Sequence, residues 1–107
     1  MNKEKIIKES ETYSKIISTG KSVKNKYYSL FYIKSDKTLF GITVPKKTGK
    51  AYIRNKLKRR VKNIITTNEF AIQIGYSYVI IIKEASLELN YSSMAQELLI
   101  LFKKVGK

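Results

Sequence analysis

Thr43-Val44-Pro45-Lys46-Lys47-Thr48-Gly49-Lys50-Ala51-Tyr52-Ile53-Arg54-Asn55-Lys56-Leu57-Lys58-Arg59-Arg60-Val61-Lys62-Asn63 is the stretch that organises this chain. Thr43 and Val44 end a β-rich run, and Pro45 stops it because proline cannot continue a ladder. A polar loop with Gly49 follows. Then Ile53, Leu57, Val61, Ile64 and Ile65 recur at spacings of three and four, which predicts an amphipathic helix over about Ala51 to Thr67.

The remaining elements are read outward from that helix. Ser10 is a plausible cap and Gly20 a plausible stop for a short helix over Glu11 to Thr19, with Tyr13, Ile16 and Ile17 on one face. Lys26 to Lys34 is rich in Tyr, Phe and Ile and reads as a strand ending at the turn Ser35-Asp36-Lys37. Thr38 to Val44 is expected to be its antiparallel partner. After a connector over Asn68 to Gly75, Tyr76 to Lys83 reads as a buried strand. Ser92 or Ser93 can cap a last helix, with Gln96 placed to close a capping box on Ser93. Met94, Leu98, Leu101, Phe102 and Val105 form its apolar face. The order helix, strand, strand, helix, strand, helix suggests an α+β fold, an α/β sandwich with helices against a small, mostly antiparallel sheet. At 107 residues the chain is expected to be a single domain, 1–107.

Charge separates this domain from an ordinary one. It has 22 Lys plus Arg against 8 Asp plus Glu, a formal net charge of +14 and a pI near 10.0. Self-repulsion of that size makes most sense if a polyanion neutralises it in use, nucleic acid first and an anionic membrane second. There is no cysteine, hence no disulfide framework and no thiolate metal site, and no histidine, the commonest general base. The eight carboxylates are scattered and nothing resembles a two-metal cluster, so a self-sufficient nuclease is disfavoured. No metal or other cofactor is expected on the protein. The N-terminal ten residues lack the apolar core of a signal peptide, and the longest apolar run, Tyr78 to Ile82, is far short of a membrane span. A cytoplasmic location is expected. The apolar stripe of the basic helix could suit a membrane surface, but burial against the sheet explains it better.

The cations are concentrated where the helix is. From Lys46 to Lys62 nine of seventeen residues are basic, and no acidic residue occurs between Asp36 and Glu69. With the apolar stripe turned inward, Arg54, Asn55, Lys58, Arg59 and Lys62 project from the other side. Like charges four apart, such as Arg54 with Lys58, destabilise an isolated helix by a few tenths of a kcal/mol each. Their accumulation points to an external anion, although a solvated basic face is the plainer alternative. The chain has 19 Lys and 3 Arg, and all three arginines, Arg54, Arg59 and Arg60, lie in this helix. Arginine's planar fork grips phosphate bidentately, so arginine was used where bare charge was not enough. Asn55 could contact RNA or bond local backbone. Lys46, Lys47 and Lys50 can reach the same polyanion, with the helix N-terminal amides adding attraction.

Arg54-Asn55-Lys56, preceded by Lys46-Lys47-Thr48-Gly49-Lys50-Ala51 and followed by Leu57-Lys58-Arg59-Arg60, resembles the signature of the bacterial ribonuclease P protein family. Lys56 stands where the family has a further arginine. The resemblance extends to Gly20-Lys21-Ser22, Tyr27-Tyr28, Phe40-Gly41-Ile42-Thr43-Val44, Gly75-Tyr76 before Val79-Ile80-Ile81-Ile82, and Tyr91. Ser77 stands where Asp is common.

The resemblance implies a fold like the second domain of a small-subunit ribosomal protein, with a left-handed β-α-β crossover against the usual rule. It implies that Lys46, Lys47, Lys50, Arg54, Asn55, Lys56, Lys58, Arg59, Arg60 and Lys62 bind the ribonuclease P RNA. It implies that a cleft lined by Tyr13, Ile17 and Phe31 holds the 5′ leader of precursor tRNA. Ile17 replaces the usual Phe, and ordinary core packing is the alternative for Tyr13 and Phe31. The RNA subunit, with Mg²⁺, would cut the phosphodiester bond, the protein alone would not be catalytic, and no protein partner would be required. A structural RNA-binding protein of ribosomal type, or an RNA chaperone, would share the basic helix but show no leader preference.

Overall fold

The computed structural model describes Ile7 and residues 10–106. Three helices and four strands form its frame: α1 (Ser10–Thr19), β1 (Lys21–Lys24), β2 (Tyr28–Lys34), β3 (Phe40–Thr43), α2 (Ala51–Thr67), β4 (Tyr76–Ile82) and α3 (Tyr91–Lys103). The strands make one sheet in the order β1-β2-β4-β3. β2 pairs antiparallel with β1 and β4, whereas β3 pairs parallel with β4.

This corrects the pairing expected for Thr38 to Val44. β3 is not the partner of β2, because β4 lies between them. β4 is the most continuously apolar segment, and Tyr78, Val79, Ile80 and Ile82 are all buried. A strand apolar on both faces is stable only where both faces are covered, which is the centre of the sheet. The Ser35–Lys37 segment therefore crosses the end of β4 instead of turning a tight hairpin. Ser35 N donates to Gly75 O at 2.9 Å, and Ser77 Oγ donates to Lys37 O at 2.8 Å. β1 was not anticipated. Its four residues, Lys-Ser-Val-Lys, have one apolar side chain, and only pairing with β2 makes them a strand.

The sheet is covered on both faces. On one, Leu57, Val61, Ile64 and Ile65 of α2 and Met94, Leu98, Leu101 and Phe102 of α3 pack with Tyr28, Leu30, Phe40, Tyr78, Ile80 and Ile82. Burying each large side chain contributes about 1.5–3 kcal/mol. Tyr28 and Tyr78 place their hydroxyls inside this layer, and each donates to a carbonyl, Met94 O at 3.2 Å and Gln73 O at 2.6 Å. Burial pushes both phenols well above the ordinary tyrosine range; nearby Glu97 adds to the first, Tyr76 and Tyr32 to the second. On the other face Ile16 of α1 packs on Val79, with Ile7, Tyr13, Phe31, Ile33, Leu39 and Ile81 around them.

α2 begins and ends where periodicity predicts. α3 starts earlier than expected: its cap is Asn90, whose side chain accepts from Ser93 N at 2.9 Å, so Ser92 and Ser93 lie inside the first turn. The cap expected of the Ser10 side chain lies outside the described residues. No helix among the described residues is long and apolar enough to cross a membrane.

Candidate nucleic-acid interface

Two surfaces carry the residues singled out in the sequence. The first is the outer side of α2 and the loop before it. Pro45 leads into a single 3-10 turn, Lys46–Thr48, and then α2 starts after Lys50 without a side-chain cap or an acidic residue in its first turn. Lys46, Lys47, Lys50, Asn55, Lys56 and Arg59 are exposed, and Arg54, Lys58, Arg60 and Lys62 are partly buried. The inward stripe of Leu57, Val61, Ile64 and Ile65 turns Asn55, Lys56 and Arg59 away from the sheet, whereas Arg54, three residues before Leu57, lies on the stripe's own side and is partly buried, which corrects the expectation that it projects from the other side.

Two of the three arginines are tied to the protein. Arg54 Nε donates to Gly49 O at 3.2 Å, which folds its guanidinium back over the α2 N-terminus. Arg60 Nη1 lies 3.9 Å from Met94 Sδ, so Arg60 reaches across to α3. Arg59 alone of the three is exposed. The sequence groups these arginines together, but the structure separates them into one free fork and two that are held. Asn55 is exposed and makes no local cap.

The second surface is the α1 face of the sheet. Register aligns Ser22, Phe31, Val79 and Gly41 across the four strands, with Lys24, Ser29, Ile81 and Thr43 in the same-face row two residues on. Ile16 is buried, 1% exposed, at the centre of the α1 contact, whereas Ile17 beside it is 42% exposed. Tyr13 and Phe31 are partly buried members of the cluster, so each combines packing with an accessible portion. Lys24 Nζ stands 5.7 Å from the Phe31 ring centroid, a cation over an aromatic face. Tyr13, Ile17 and Phe31 thus share one side of the sheet. Thr43, at the end of its row, is three residues from Lys46, so the chain runs directly from this face into the basic loop.

Lys24 and Gly41 were not singled out from sequence. Lys24 belongs to the strand that composition did not reveal. Gly41 carried a readable signal, because a glycine inside a strand often marks a close approach. Here a Cβ at position 41 would lie 2.5 Å from Tyr13 Cζ. Among the described residues no three His, Cys, Asp or Glu side chains are grouped so as to hold a metal ion.

Comparison with known proteins gives a consistent picture. The family model described as Ribonuclease P matches residues 1–106. The chain is 36% identical over 107 residues to the ribonuclease P protein component of Carboxydothermus hydrogenoformans, covering 96% of this chain and 92% of that one. It is 32% identical to that of Streptococcus agalactiae, covering 99% and 98%. The fold superposes on the ribonuclease P protein from Thermotoga maritima with a TM-score of 0.82 at 33% identity, covering 89% of this chain and 92% of that one.

Proposed function

This chain belongs to the ribonuclease P protein family, and we propose that it serves as the protein subunit of a ribonuclease P holoenzyme, with α2 docked on the catalytic RNA and the α1 face of the sheet holding the 5′ leader of precursor tRNA. The observation that carries this reading is the solvent-facing row of cations on α2 and its preceding loop, in a stretch without one acidic residue. Such a surface has no counter-charge in its own sequence neighbourhood, and a folded RNA supplies one at high density.

The division of labour follows from the chemistry available. Lys46, Lys47, Lys50, Lys56, Lys58 and Lys62 act as point charges toward phosphates, and Arg59 offers a planar fork for two oxygens at once. Arg54 and Arg60 set the shape of the surface, through Gly49 and Met94, and add their charge to it. On the sheet face, Phe31 and Tyr13 offer aromatic surface to the bases of a single strand, which is tolerant of sequence because every base has a π-face. Ile17 packs against a base edge, and Lys24 neutralises a leader phosphate next to Phe31. The protein contributes binding and position. Phosphodiester hydrolysis, and the Mg²⁺ it uses, belong to the RNA subunit, and the cytoplasm is where both partners would meet it.

Reconstitution tests the proposal. The purified chain is expected to leave precursor tRNA intact alone. Added to an in-vitro transcribed bacterial ribonuclease P RNA at low Mg²⁺, it is expected to raise the rate of 5′ leader removal. Absence of any stimulation, with the RNA active at high Mg²⁺, would contradict it. A general RNA-binding protein would bind equally well with or without the leader, so affinities for precursor and mature tRNA in the presence of the RNA separate the two.

A further inference from the structure

Tyr52 is the second residue of α2 and its side chain is 68% exposed. Apolar periodicity does not use it: the inward stripe is Leu57, Val61, Ile64 and Ile65. At helical spacing Tyr52 shares its side with Asn55 and Lys56, three and four residues on, and with Arg59 one further turn along; all three are exposed. Side chains on a helix lean toward its N-terminus, so the Tyr52 ring inclines over the loop that carries Lys46, Lys47 and Lys50. A largely exposed aromatic ring therefore stands among the exposed cations of the loop and α2.

Two other exposed aromatic side chains provide a contrast. Phe70 is 89% exposed, and Tyr91 is 38% exposed. The chain from Asn63 to Ile82, around Phe70, contains no lysine or arginine, and neither does Glu84 to Phe102, around Tyr91. Of these three only Tyr52 is set in a run of cations. Burial does not explain it, and neither does helix propensity, since tyrosine is a weaker helix former than alanine or lysine.

We propose that Tyr52 is an RNA-contacting residue that stacks on an unpaired base of the RNA docked on α2. This rests on the reading of α2 as the RNA-binding helix and adds an uncharged stacking contact to the phosphate contacts of the lysines and arginines. Phosphate contacts position the RNA without regard to sequence and weaken steeply with salt. A stacked base is held by dispersion and by removal of apolar surface from water, and this part of the affinity is nearly independent of salt. The ligand class is therefore a bulged or looped nucleotide next to a helical segment whose phosphates meet Lys50, Lys56 and Arg59.

The test is the equilibrium affinity of the full chain for an in-vitro transcribed bacterial ribonuclease P RNA, measured at several salt concentrations. Tyr52→Ala removes the ring at an exposed helical position where alanine is a good helix former. It is expected to lower affinity by about fivefold to a hundredfold at every salt concentration, with the salt slope unchanged. Tyr52→Phe keeps the ring and is expected to stay within about twofold of wild type. Tyr52→Leu keeps apolar bulk without a π-face and is expected to lose most of what alanine loses. Binding by Tyr52→Ala equal to wild type would overturn the stacking role while leaving the basic surface intact. A loss that Tyr52→Leu fully restores would also overturn it, since bulk alone would then suffice. Failure of the wild-type chain to bind the RNA would overturn the functional reading and this inference with it.

Discussion

Tyr13 rests on Gly41 so closely that a methyl group at position 41 would lie 2.5 Å from Tyr13 Cζ and 2.7 Å from its Cε1 and hydroxyl oxygen. The missing side chain on β3 is what lets the α1 aromatic lie down on the sheet. Gly41→Ala is expected to destabilise the fold by about 1–3 kcal/mol through overpacking. In a Tyr13→Ala background the same change should cost far less, giving a coupling of about 1–2 kcal/mol in a thermal double-mutant cycle. Additive effects would mean that the two residues do not press on each other.

Phe31 is the central aromatic of the same face, aligned with Gly41 through Val79. Phe31→Ala should reduce the preference for leader-bearing over mature tRNA by about 1–3 kcal/mol if the ring stacks a base. Lys24→Ala should do so more weakly and in a salt-dependent way, since its ammonium acts on phosphate as well as on the ring. Affinities for the two tRNAs with the RNA subunit present check both. Unchanged discrimination in Phe31→Ala would make this ring ordinary core.

Adjacent arginines are expected to fail differently. Arg59 is exposed, whereas Arg60 is partly buried with Nη1 at 3.9 Å from Met94 Sδ. Arg59→Ala should lower RNA affinity with a melting temperature close to wild type. Arg60→Ala should also lower the melting temperature, because its partly buried side chain reaches from α2 to Met94 of α3. Thermal unfolding of the two variants side by side shows the difference.

Tyr28 and Tyr78 link stability to alkaline pH. Both phenols are held above their unfolded value by burial. The folded state therefore keeps its protons at a pH where the unfolded chain releases them. The stabilisation is complete below about pH 10 and is lost as pH rises through the folded values. Chemical denaturation at increasing pH should show stability falling above about pH 10. Tyr28→Phe and Tyr78→Phe should each flatten that fall.

The sequence was informative where local physics decides structure. The α2 stripe from Leu57 to Ile65 and the uninterrupted Val79–Ile82 run determine their elements alone, because periodicity and burial agree there. Asn90 was overlooked because Ser92 and Ser93 offer equally good caps, and only the position of α3 against the sheet chooses among them. β1 and the place of β4 between β2 and β3 are decided by long-range pairing, which no local window contains. The basic surface was legible as charge. Its division into an exposed Arg59 and two tethered arginines was not, since Gly49 O and Met94 Sδ become neighbours only on folding. Lys24 came into view for the same reason, once β1 had placed it beside Phe31.

On the proposed function, the cations of α2 and its loop lie against RNA. The most direct test is the salt dependence of binding to ribonuclease P RNA for wild type and for a variant with Lys46, Lys47, Lys56 and Arg59, all exposed, changed to alanine. The wild type is expected to show a steep slope of log affinity against log salt, reduced in the variant by about one unit per contact removed, with thermal stability retained. Equal affinity and equal slope in the two proteins would contradict it.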